Sequence, residues 1–68
     1  MAFHLVVSIS AEDVGRRVSV RRRCPEGFRD VVGVLESWSG GVLAVRRRDG
    51  TLVEFSEHVM VAAKVVPG

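Results

Sequence analysis

Apolar and polar residues alternate along most of this 68-residue chain, and turn signals interrupt the alternation at short intervals. In "FHLVVSI", Phe3, Leu5, Val7 and Ile9 fall on one face at period two, which predicts a short strand or an apolar arm. "SAED" follows, where Ser10 with Asp13 three positions later predicts a capped helical turn that Gly15 ends. "RRVSVRR" turns Val18 and Val20 inward and Arg17, Ser19 and Arg21 outward. "CPEGF" reads as a loop punctuated by Pro25 and Gly27. "DVVGVLESW" predicts a long strand, with Gly33 marking a bend or bulge of the kind small barrels need. "SGG" at 39–41 and "RDG" at 48–50 are turns, and "VLAVRR", "TLVEFS" and "VMVAAKVV" are further strands. Ser56 in "SEHV" predicts a single tight turn before the last strand.

The "RDG" turn admits two registers. A two-residue Asp49-Gly50 turn sets Val45 against Glu54. A three-residue loop with Gly50 in the left-handed region sets Val45 against Val53 and Leu43 against Phe55. The second register matches apolar with apolar, and a one-residue slip would reverse every side chain, so it is preferred. The expected fold is all-β: a small SH3-like barrel of five to six short antiparallel strands with a single helical turn before the last strand. Residues 1–11 form an N-terminal strand or arm, and residues 12–67 form the barrel domain. The length excludes a seven-stranded sandwich.

Composition changes the picture in three ways. A domain this small buries only about 60% of the surface its unfolded chain exposes, so its stability is marginal. One cysteine gives no internal disulfide, and no Cys/His cluster has metal-ligand spacing, so neither device staples the fold. The 47% hydrophobic content supports an apolar core. No apolar run is long enough to span a membrane, and "MAFHLVVSIS" lacks the marks of a signal peptide, so a reducing cytoplasm is expected.

Six of the ten basic residues sit in two triplets, Arg21–Arg23 and Arg46–Arg48. The net charge is nevertheless only +2, low for a dedicated nucleic-acid module. Period two splits each triplet. Arg21, Arg23, Arg46 and Arg48 face outward, whereas Arg22 and Arg47 fall on the core parity and belong at the rim or where the strand bends. With Trp38 opposite Val42, Arg46 lies diagonal to Glu36 and Glu54, so its charge is compensated within the sheet. Arg48 adjoins Asp49. Arg21 and Arg23 have no assigned partner and are the freer pair for an anion or partner contact. Trp38, the single tryptophan, is a lid on one barrel end or a docking contact. One tryptophan and three phenylalanines are too few for a proline-peptide groove or a methyl-lysine cage. Cys24 lacks a nearby base and reads as a bystander, and His58 reads as an exposed turn residue. No nucleophile, base and orienting group occur together, so no catalytic, cofactor or metal residue is assigned.

The segments "DVGRRVSVRRR" from Asp13, "DVVGVLESW" from Asp30, "GGVLAVRRRDGTLVEF" from Gly40 and "VMVAAKVVP" from Val59 resemble a known family. They look like the SH3-like domain at the N-terminus of certain actinobacterial GNAT-type N-acetyltransferases. The resemblance covers roughly residues 12 to 67, and its most specific part is the pair "VRRRDG" and "VAAKVVP". It implies a non-catalytic accessory domain that docks on an adjacent acetyltransferase domain or another protein. Acetyl-CoA would enter only with a catalytic domain that follows the barrel, because no Gly-rich acetyl-CoA loop occurs here. Two alternatives stand beside it. One is a nucleic-acid-binding barrel using the outward arginines. The other is a homo-oligomer in which "FHLVVSI" pairs along a sheet edge.

Overall fold

A computed structural model describes residues 6–67. The described residues form six strands: β1 (Val6–Val7), β2 (Arg17–Cys24), β3 (Gly27–Ser39), β4 (Val42–Arg46), β5 (Leu52–Ser56) and β6 (Met60–Val65). They build one sheet in the order β1-β6-β2-β3-β4-β5. Strands β2 to β6 pair antiparallel. The all-β barrel-like domain is therefore as expected, with one difference: β1 pairs parallel to β6, Val6 with Ala62 and Val7 with Ala63. Phe3 and Leu5 of the proposed apolar arm lie outside the described residues. Ile9 enters the core, while Val7 stays exposed.

Both predicted turns form as single 3-10 turns. At Ala11–Asp13, the Ser10 hydroxyl accepts from the Glu12 N–H and the Asp13 carboxylate accepts from the Ser10 N–H. At Glu57–Val59, the Ser56 hydroxyl accepts from the His58 N–H at 3.1 Å. The second turn carries the chain from β5 into β6 and so closes the fold just before its last strand.

The core follows from the alternation. Val18, Val20, Val31, Leu35, Leu43 and Val45 are all but completely buried, joined by Ile9, Phe55, Met60 and Ala63. The three-residue register at the Asp-Gly turn is the one adopted: Val45 faces Val53, Leu43 faces Phe55, and Gly50 has φ +92°.

Two hairpins differ from expectation. The "CPEG" segment is a tight connection, with Cys24 directly opposite Gly27 and only Pro25 and Glu26 between them. As a result β3 begins at Gly27 and runs for 13 residues. The β3–β4 turn uses Gly40 and Gly41 alone, so Ser39 faces Val42 and Trp38 faces Leu43, not Val42. The register then shifts between Leu35 and Ser37, where Glu36 is the extra residue of a bulge. Gly33 marks the bend, as expected, through a close approach: a Cβ there would overlap the Arg46 carbonyl.

Candidate interaction surface

The first arginine triplet lies along the β2–β3 hairpin. Cross-strand register sets Arg21 against Asp30, Arg22 against Arg29, and Arg23 against Phe28. Arg21 is not free. Its Nε donates to Asp30 Oδ1 at 2.9 Å and its Nη2 to Oδ2 at 3.3 Å. These bonds to the ionised form hold the Asp30 carboxyl below its ordinary range, with the arginine's charge adding to the effect. The tight Cys24–Gly27 turn is the cause, because it fixes the register that brings the two side chains together. Arg23, by contrast, is exposed and has no ion pair among the described residues. Phe28 beside it is 55% exposed, the most open large apolar side chain described.

Arg22 falls on the core parity, and the sheet accommodates it as expected at a bend. The β2–β6 register shifts between Arg21 and Arg22. The Arg22 guanidinium carbon then sits 5.7 Å from the centre of the Phe55 ring. Its Nε is buried without a hydrogen-bond partner. Arg29 reaches Glu26 at 3.4 Å, a long pair between two exposed side chains.

The second triplet is more compensated at its start than at its end. Arg46 donates Nε and Nη2 to the two Glu36 oxygens at 3.0 and 3.1 Å, and Nη1 to the Gly50 carbonyl at 2.9 Å. The expected Glu36 contact is present, reached through the bulge rather than through a Trp38–Val42 pair. Glu54 takes no part in an ion pair among the described residues. Glu36 is held below its ordinary range, chiefly by the hydrogen bonds from Arg46. Asp49 is not the partner of Arg48; it accepts from the Thr51 N–H at 2.9 Å, and that bond is the main reason its carboxyl is lowered. Arg47 and Arg48 are exposed and unpaired among the described residues.

Comparison with known proteins adds the family. The model of the Rv0428c N-terminal Sm-like domain matches residues 6–64. The chain belongs to this family. No curated protein and no solved structure matches it. The matched residues take in β1 and stop within β6.

On this Sm-like domain Trp38 is half-buried. It packs partly buried against the core, and its Nε1 donates to Glu57 Oε1 at 2.9 Å. That bond ties the β3–β4 hairpin to the 3-10 turn after β5, where the Glu57 N–H also donates to the Gly41 carbonyl. Glu57 is thus engaged by Trp38, and His58 next to it is exposed. A groove of about 410 Å³ crosses the outer face, lined by Ser8, Ser19, Arg21, Asp30, Ala62 and Lys64. Of its three charges, Arg21 and Asp30 satisfy each other, and Lys64 has no ion pair among the described residues.

The five outward candidates therefore separate. Arg21 and Arg46 are bound within the sheet, Trp38 packs against the core and bonds to Glu57, and Arg23 and Arg48 have no ion pair among the described residues. Sequence reasoning missed Phe28, which the tight turn places beside Arg23. The signal for it lay in "CPEG", which sequence reasoning took as a loop and which is a two-residue Pro25–Glu26 turn.

Proposed function

We propose that this Sm-like domain is a non-catalytic interaction module that docks through the end of its β2–β3 hairpin. The observation that carries the reading is the Arg23–Phe28 neighbour pair, a free cation beside an exposed ring. Such a pair offers a partner both a charge contact and an apolar anchor. The sequence resemblance supplies the partner: the catalytic domain of a GNAT-type N-acetyltransferase, adjacent or separate. On this reading the chain itself uses no cofactor, acetyl-CoA belongs to the catalytic domain, and the setting is the cytoplasm.

Chemical-shift mapping of the domain against an acetyltransferase domain tests this. Shifts centred on Arg23 and Phe28, abolished in Arg23→Ala/Phe28→Ala and retained in Arg21→Ala, are the expected result. Shifts that spare the hairpin overturn it.

The same pair supports a second reading, a phosphate contact with base stacking on Phe28. Oligonucleotide binding that weakens steeply with salt separates the two.

A further inference from the structure

The long strand β3 is paired on both sides only along part of its length. On the β2 side its ladder runs from Gly27 to Val34. On the β4 side it begins only at Val34 opposite Arg46. The phase of the ladder follows from two bonds: the Leu35 N–H donates to the Arg16 carbonyl, and the Val66 N–H donates to the Arg17 carbonyl on the far side of β2. Backbone groups in an antiparallel pair alternate in direction along the strand. Hence the N–H and C=O groups of Phe28, Asp30 and Val32 point away from β2, toward a side on which no strand of the described residues pairs with them.

This edge is only partly protected: no proline lies on it, while Arg29 is a charge on the core parity and the free stretch is short. Exposed edges are commonly blunted by proline, by inward charges or by very short length. Here the outer-face side chains at the free rungs are Phe28 (55% exposed), Asp30 and Val32 (46% exposed). Asp30 is already neutralised by Arg21. Cations surround the edge: Arg23 lies across from Phe28, Arg29 sits within it, and Arg47 passes against Gly33 at its end. Arg48 follows in the turn. Arg23, Arg47 and Arg48 have no ion pair among the described residues, and Arg29 has only its long contact to Glu26.

We infer that the Phe28–Val32 edge of β3 accepts an extended acidic segment of a protein partner as an added strand. Its apolar residues would lie beside Phe28 and Val32 on the outer face, and its carboxylates, at alternate positions, beside Arg29 and Arg47. Main-chain bonds would supply the affinity and the alternating side chains the selectivity. The inference rests on the reading of the domain as an interaction module and gives that module a mode of recognition.

The test uses the 68-residue chain and a capped heptapeptide that alternates valine with glutamate, followed by amide hydrogen exchange. The acidic peptide is expected to slow exchange at least tenfold at Phe28, Asp30 and Val32, and the same peptide with lysines in place of its glutamates is expected to leave these amides unprotected. A peptide N-methylated at alternate residues, which leaves the protein untouched, is expected to lose this protection. Val32→Pro removes one free edge N–H and no bond of the β2 ladder, so it is expected to weaken binding at least fivefold while keeping a dispersed spectrum. Protection along β5 instead, equal protection by the lysine peptide, or none at millimolar peptide overturns the inference. Its failure is separable from that of the docking role: a domain that binds an acetyltransferase domain through Arg23 and Phe28 side chains, yet takes no peptide, retains the role and loses the strand addition.

Discussion

The carbonyl of Arg46 occupies the place where residue 33 would carry its Cβ, and Gly33 is buried there. The close approach lets β3 leave β2 and take up β4 within a residue or two. Gly33→Ala would drive a methyl group into backbone, which has no flexible end to move aside. The expected cost is about 3 kcal/mol or loss of the fold, read from the urea midpoint or from collapse of amide dispersion.

Leu43 is fully buried and faces both Trp38 and Phe55 across its two neighbouring strands. Leu43→Ala is expected to cost about 3 kcal/mol. A chain of this size has a total stability of roughly 3–10 kcal/mol. Calorimetry is expected to show a transition lowered by well over 10 °C or absent.

Trp38→Phe keeps most of the apolar body packed against the core and removes the donor to Glu57. Leaving that half-buried carboxylate without its partner is expected to cost about 1.5 kcal/mol. Glu57→Gln, which keeps an acceptor, is expected to cost less. Chemical denaturation of the three chains gives the comparison, and in wild type the single tryptophan reports unfolding by its own fluorescence.

Asp30, Glu36 and Asp49 all have lowered carboxyl pKa values in the folded chain. A lowered folded value means that the unfolded state binds protons first as the pH drops. The stabilisation is complete above the unfolded carboxylate values of about 4 and disappears as the pH falls through the lower folded ones. Urea midpoints are therefore expected to be flat from pH 7 to about 5 and to drop below about 4. The Asp30→Asn/Glu36→Gln chain is expected to show a shallower drop. The Arg21 and Arg46 partners stay charged throughout this range.

The strands and the inward set were legible because period two held along β2 and into β5, where Val18, Val20 and Phe55 alternate with polar residues, whereas in β4 Leu43, Ala44 and Val45 are all buried. The Val45–Val53 register was legible for the same reason. Legibility failed where the period breaks. Glu36 is an extra residue, and no feature of "LESW" distinguishes a bulge from a plain strand. Arg21 was read as free because "CPEG" was taken as a loop; with two turn residues, counting back from Cys24–Gly27 reaches Arg21–Asp30. The parity of Arg22 showed that it had to leave the regular ladder, but its resting place on Phe55 depends on how the sheet folds over. The β1–β6 pairing joins distant parts of the chain, and a local pattern carries no trace of such a partner.

That pairing also orders the assembly of the domain in time. The β2–β3, β3–β4 and β4–β5 hairpins each close a turn of a few residues, whereas Ser8 meets Ala63 through its N–H at 2.9 Å and its hydroxyl at 3.0 Å, 55 positions apart. Closing a loop of that length costs about 2 kcal/mol more in chain entropy than closing a five-residue turn. The hairpins can form early and independently, but β1 finds its place only after β6 has settled beside β2. Its docking is thus a late step of folding, and a nascent chain cannot complete this domain until the residues of β6 are available to receive it.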